Sequence, residues 1–158
     1  MTRLPLLSLA LLGACLADAA PPEGRYLLDP FAAATDRYPG CPTAQPPYLS
    51  EYEYKVQAHE RIERGTSCAL AGTCEPGGAY KRDPEVNERV RAALVADARF
   101  ASSSLWVSTM RGFVTLKGCV RSSQAREALT ALVQAQPGVL LVWNETWVGT
   151  KPPAKPSR

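Results

Sequence analysis

Leu105-Trp-Val-Ser-Thr-Met-Arg-Gly-Phe-Val-Thr-Leu-Lys-Gly-Cys-Val120 is the stretch that decides the fold. Leu105, Val107 and Thr109 alternate with Trp106, Ser108 and Met110, and after Arg111-Gly112 the alternation resumes with Val114, Leu116 and Val120. A period of two on both sides of a turn pair predicts a β-hairpin. Gly112 supplies the positive φ that a tight turn needs. Gly118 stands where a side chain would otherwise sit, so a helix or another backbone is expected to approach closely there.

Upstream, Asp83-Pro84-Glu85 opens a helix: Asp83 is placed as cap, proline occupies the first helical position, and an acid lies in the first turn. Val86, Val90, Ala93 and Leu94 make its buried stripe. Downstream, Ser122-Ser123 caps another helix with Ala125, Ala128, Leu129, Leu132 and Val133 inside, and Pro137-Gly138 ends it. Val139 to Val148 is a final strand. The order α-β-β-α-β predicts a two-layer α+β domain over residues 83–149, with two helices on one face of a three-stranded sheet.

This segment resembles a single BON domain. The residues that carry the resemblance are the alternating run Leu105 to Thr109, the turn Gly112, Val114-Thr-Leu-Lys-Gly-Cys-Val120, and Gly138-Val-Leu-Leu-Val-Trp-Asn144. The resemblance implies binding rather than catalysis: such domains are associated with phospholipid surfaces and envelope integrity, and also occur in secretion assemblies. Its best-marked position, Gly118, is a packing residue and identifies no ligand.

The N-terminal part is of another character. Arg3 followed by the apolar run Leu4 to Leu12, too short to span a bilayer, reads as an export signal within residues 1–19. Leu12-Gly-Ala-Cys15 resembles a lipobox in which Cys15 is lipidated, whereas Ala17-Asp-Ala19 resembles an ordinary cleavage site. Either way the expected location is the periplasm, with an outer-membrane anchor if Cys15 is acylated. Residues 20–48, rich in Pro, Ala and Tyr, read as an extended arm. Within residues 49–82, Ser50 and Glu53 form a capping box, Leu49 is placed to staple against Tyr54, and Tyr52, Val56, His59 and Ile62 fall on one stripe ending at Gly65. This short helix should dock through that stripe. Residues 150–158 are a basic, proline-rich tail.

Export makes Cys41, Cys68, Cys74 and Cys119 candidates for disulfides, with three pairings open. Cys68 to Cys74 is a short loop whose glycine helps it close, which would leave Cys41 for Cys119. Charge is divided: residues 20–80 carry a net −3, and residues 81–158 a net +6, so the C-terminal half is the one suited to anionic surfaces.

The sheet face opposite the helices is expected to show Trp106, Met110, Phe113, Lys117, Cys119, Leu141, Trp143 and Trp147. That is unusual for a face left in water. Two readings follow. Trp106, Phe113, Trp143 and Trp147, with Arg111, Lys117 and Arg121 at the rim, suit a lipid interface or a protein partner; alternatively the N-terminal segment covers the face as a third layer, a reading that a disulfide from Cys119 to a cysteine before Asp83 would favour. No nucleophile elbow, phosphate loop or zincin helix is present, so no catalytic residue and no cofactor are assigned. His59 with Cys68 and Cys74 lacks a usual zinc spacing, and no metal is assigned. Export argues against nucleic acid as partner of the basic tail. The expected function is non-enzymatic: association with anionic phospholipid in support of envelope integrity, with an accessory protein-interaction role in an envelope or secretion assembly as the alternative.

Overall fold

The computed structural model describes residues 23–153. The export-signal and Cys15 expectations, and the end of the basic tail, lie outside the described residues. In chain order the elements are β1 (Phe31–Asp36), α1 (Glu51–Leu70), α2 (Asp83–Ala96), β2 (Ser104–Met110), β3 (Phe113–Val120), α3 (Ser123–Gln134) and β4 (Leu141–Val148), with a 3₁₀ turn at Ala98–Phe100. Among the described residues no helix is long and apolar enough to cross a membrane.

The hairpin forms where the alternation placed it. Met110 pairs with Phe113 across Arg111 (φ 55°) and Gly112 (φ 74°). Two positive φ angles in a two-residue loop are those of a type I′ turn, whose twist matches that of the flanking strands. β4 then runs parallel to β3, with Phe113 opposite Leu141 and Val120 opposite Val148, and α3 is the crossover that a parallel pair requires.

The expectation of a three-stranded sheet is corrected to four strands, in the order β1-β2-β3-β4. The added strand comes from the supposed arm: Phe31-Ala-Ala-Ala-Thr-Asp36 pairs antiparallel with β2, Phe31 opposite Ser108 and Asp36 opposite Ser104, with an irregularity between Ala33 and Thr35. Three successive alanines carry no alternation and favour helix in isolation. What makes the segment a strand is the free edge of β2, whose backbone groups it satisfies.

Leu105, Val107, Val114, Leu116 and Val120 point to the helices, where they pack with Val86, Val90 and Leu94 of α2 and Leu129 and Val133 of α3. Phe100, on the 3₁₀ turn, completes this core and is fully buried. Gly118 has φ 118°, and a Cβ there would lie 2.0 Å from the Ser104 carbonyl oxygen, so the backbone that approaches is the partner strand of the hairpin itself.

α1 departs from the sequence reading in two ways. Its capping box is present, Ser50 N–H donating to Glu53 Oε2 at 2.8 Å and Glu53 N–H to Ser50 Oγ at 3.3 Å. The helix nevertheless continues through Gly65 to Leu70. Gly65 is buried mid-helix because the Gly77-Gly78 backbone packs against it, 3.4 Å from where its Cβ would stand. The expected docking stripe is also turned outward: Tyr52 and Ile62 are 78% and 69% exposed, and His59 sits in solvent beside Glu63. The face that docks is Tyr54, Ala58, Arg61, Gly65 and Cys68, which shares the helical spacing but contains an arginine and a glycine that hydropathy does not register. Tyr54 packs on Tyr26, with ring centroids 4.9 Å apart and ring planes 32° from parallel. Arg61 reaches Asp29 through two hydrogen bonds of 2.8 and 3.1 Å.

Cys41 is bonded to Cys119 and Cys68 to Cys74. The first ties the segment after β1 to the outer face of the sheet, and the second closes the C-terminal end of α1.

Candidate functional site

The outer sheet face divides into a covered end and an open end. At the covered end Cys119 is fully buried under its bond to Cys41, and Trp106 is 4% exposed. Trp106 lines a cleft together with Thr43, Pro46 and Tyr48 of the segment that follows Cys41. Trp147, in register with Cys119, is partly buried at the same end. Arg121 places its guanidinium 3.6 Å from the centroid of Tyr38 and donates through Nε to the Ser102 carbonyl. Tyr38 N–H donates in turn to Ser104 Oγ, which donates to Asp36. The third-layer reading thus holds for this end, and Trp106, Trp147 and Arg121 belong to the packing of that layer.

At the open end, around the hairpin turn, the face is covered only at its margin. Trp143 is 46% exposed and leans on Phe113, with centroids 5.6 Å apart, and Leu141 and Leu140 beside it are 43% and 69% exposed. Met110, Phe113, Lys117, Trp143 and Glu145 line a cleft of about 260 Å³, closed on one side by Asp29 and Pro47. Lys117 Nζ stands 4.0 Å from Glu145, an exposed pairing that leaves the ammonium accessible and is worth little in water. Of the residues expected on the face, Phe113, Lys117 and Trp143 therefore converge here, whereas Arg111, at the turn, directs its guanidinium toward Tyr80. Leu140, not among the residues expected on the face, lies just before β4 and is held beside the turn by its N–H bond to the Gly112 carbonyl at 2.9 Å.

Two polar residues position this end. Asp83 is the first residue of α2, yet its carboxylate does not cap that helix, as the sequence suggested. It accepts from Arg111 N–H at 2.7 Å and Gly112 N–H at 2.9 Å and so holds the turn. Burial pushes its carboxyl above the ordinary aspartate range, while the two N–H donors pull it back. Asn87, also buried, donates to the Val107 carbonyl at 3.2 Å and to Thr109 Oγ1 at 3.0 Å, locking α2 to β2. Neither role has a local sequence signal, because both partners lie twenty or more positions away.

The sheet edges are engaged. Arg91 of α2 donates to the Ala33 carbonyl on β1, and Arg126 of α3 donates to the Asn144 and Thr146 carbonyls on β4. Guanidinium groups on edge carbonyls hinder addition of a further strand. The Asn144 amide donates to the Arg126 carbonyl and Thr130 Oγ1 and so pins β4 to α3. Among the described residues no group of His, Cys, Asp and Glu is arranged to hold a metal. The open face offers apolar and aromatic contact with a cationic margin; that is equipment for binding.

Residues 82–150 match the family model of the BON domain, in one copy. The match takes in α2, β2, β3, α3 and β4 and leaves β1, α1, Cys41 and the Cys68–Cys74 loop as additions outside it. The BON domain is a non-enzymatic binding module found in envelope proteins. No curated protein and no solved structure matches the chain.

Proposed function

We propose that this protein is a non-enzymatic envelope component that lies against anionic phospholipid through the open half of its outer sheet face. The observation that carries the reading is the exposure of Leu141 and Trp143, with Leu140 just before the strand, backed by Phe113 and with Lys117 in the same cleft. Aromatic and aliphatic side chains with a cation among them match the order of a membrane interface, where Trp is favoured at headgroup depth and basic side chains meet lipid phosphate. The export-type N-terminus and the BON match support an envelope location, periplasmic, with Cys15 acylated as the anchor to the outer membrane.

Magnitudes assign the roles. Acylation contributes ~0.8 kcal/mol per buried CH₂, whereas each basic residue near an anionic leaflet contributes ~1 kcal/mol. The anchor would hold the protein at the membrane, and the Trp143 patch would orient it. One addition to the module serves this reading: the disulfide-tied segment seals one end of an aromatic face that would otherwise be sticky along its whole length, and leaves the other end free.

The alternative, an accessory subunit that binds protein in an envelope or secretion assembly, has one observation in its favour. Ile62 and Leu70, turned away from the domain on α1, line an apolar groove of about 520 Å³ with Ala69 and Pro76. A photo-crosslinking amino acid installed at position 143, and in a second strain at position 62, distinguishes the two in cells. The lipid reading expects lipid adducts at position 143 and no stoichiometric protein adduct there. One protein captured in stoichiometric yield at position 143 would replace it with the assembly reading.

A further inference from the structure

Arg111 occupies a position that its residue type does not suit. The first loop position of a type I′ turn is ordinarily Asn, Asp or Gly, since φ near +55° costs a side-chain-bearing residue about 1 kcal/mol or more. Here it is Arg, the only non-glycine at positive φ among the described residues, and the buried Asp83 carboxylate holds it there. Strained positions secured in this way cluster where a side chain is needed for function.

The conformation sends the Arg111 guanidinium to the Tyr80 ring, 6.0 Å from its centroid, where Arg61 already lies at 4.2 Å. Arg61 accounts for the docking of α1, because its charge is spent on Asp29, both side chains being largely buried. Arg111 forms no ion pair with a carboxylate among the described residues, and at 6 Å its contact with Tyr80 is at the outer limit of a cation–π attraction. Packing gives no reason for it to be there.

Between the turn and α1 lies a recess of about 200 Å³ lined by Gln57, Arg61, Arg64, Tyr80, Met110 and Arg111. Its one acid is Glu60, which reaches Arg64 at 3.3 Å on the exposed side of the helix. Three arginines therefore line one small space: Arg61 is bonded to Asp29, Arg64 to Glu60, and Arg111 has no carboxylate on its guanidinium among the described residues. The recess has room for a phosphoryl group with a short substituent. Guanidinium is the side chain best matched to phosphate geometry.

We propose that this recess binds a phosphate-bearing anion, with Arg111 and Arg64 as its direct donors and Arg61 fixing the wall. The site is built by α1 and Tyr80, outside the BON match, onto the module's turn. It shares only Met110 with the lining of the aromatic cleft and does not depend on the sheet-face reading.

The test titrates the full chain carrying Cys15→Ala, in moderate salt, with inorganic phosphate and in a parallel arm with a short-chain phosphatidic acid below its micelle concentration, following arginine Nε–H resonances. Saturable shifts of Arg111 and Arg64 with phosphate are expected. Arg111→Asn, which suits the turn and so preserves the fold, should weaken phosphate binding at least tenfold, Arg111→Lys should retain part of it, and Trp143→Ala should leave it unchanged. A short-chain lipid bound at least tenfold tighter than phosphate through the same arginines identifies the source as a headgroup; equal affinity identifies a free phosphate compound. Absence of saturable binding in both arms, or binding by Arg111→Asn equal to that of the parent, overturns the site. Loss of vesicle binding in Trp143→Ala with phosphate binding intact separates this site from the sheet face.

Discussion

Asp83 holds Arg111: the carboxylate of the first residue of α2 accepts the Arg111 N–H at 2.7 Å across twenty-eight positions of sequence, and the neighbouring Gly112 N–H at 2.9 Å. One buried acid thus fixes the conformation of the turn, the direction of the Arg111 side chain and the meeting of helix and hairpin. Its removal leaves two turn N–H groups without their acceptor.

Asp83→Ala is accordingly expected to lower stability by ~1–3 kcal/mol, the cost of leaving buried donors unsatisfied. Chemical denaturation at neutral pH measures it. A change below ~0.5 kcal/mol would mean that the turn holds itself.

Asp83 also sets a pH dependence whose sign is fixed. Its folded-state pKa is raised, chiefly by burial, so the folded chain keeps its proton to higher pH than the unfolded chain does. The stability linked to that proton is fully present below the ordinary aspartate value of about 3.9 and is lost as pH rises through the raised value. The stability of the parent relative to Asp83→Asn should therefore increase on acidification from neutral pH. A difference that is flat, or that shrinks on acidification, contradicts the burial of this group.

The Cys41–Cys119 bond spans 78 positions and should be the stronger of the two disulfides. In the chain-entropy account a loop of that length contributes about 4.5 kcal/mol, against a domain whose own core rarely exceeds about 5 kcal/mol. A Cys41→Ser, Cys119→Ser double variant should unfold at much lower denaturant and show increased Trp106 solvent exposure by fluorescence. Retention of the parent stability would mean that the segment covering Trp106 is held by its other contacts alone.

Gly118→Ala is expected to cost at least about 3 kcal/mol, because the new Cβ would stand 2.0 Å from the Ser104 carbonyl oxygen at a backbone angle that side chains avoid. Gly72→Ala, where nothing lies within 4 Å, pays only the backbone strain and serves as the control. Equal effects at the two positions would show that strand proximity is not what requires Gly118.

The hairpin and its inner face were legible because alternation is a local property: Leu105, Val107, Val114, Leu116 and Val120 are buried as their spacing implies. β1 was not, since Phe31 to Asp36 has no period of its own and takes strand form from the edge of β2. The docking face of α1 escaped notice because Arg61 and Gly65 do the work expected of aliphatic residues, one through a shielded ion pair and the other through close backbone approach. On the outer face the residue types were readable and their division was not. Trp106, Trp147 and Arg121 are set apart from Phe113, Lys117 and Trp143 by a covering segment whose position depends on the Cys41–Cys119 bond. The roles of Asp83 and Asn87 rest on partners distant in sequence, which local pattern does not reach.

The central claim is that the open end of the sheet engages anionic lipid. Flotation of the full chain carrying Cys15→Ala with vesicles of neutral lipid, and with vesicles containing anionic lipid, tests it without the anchor, alongside the same chain bearing Trp143→Ala and Leu141→Ser. The account predicts flotation with anionic vesicles only, diminishing as salt is raised, and severalfold less for the doubly substituted face. Equal recovery with neutral and anionic vesicles, or flotation unaffected by the loss of Trp143 and Leu141, would contradict it.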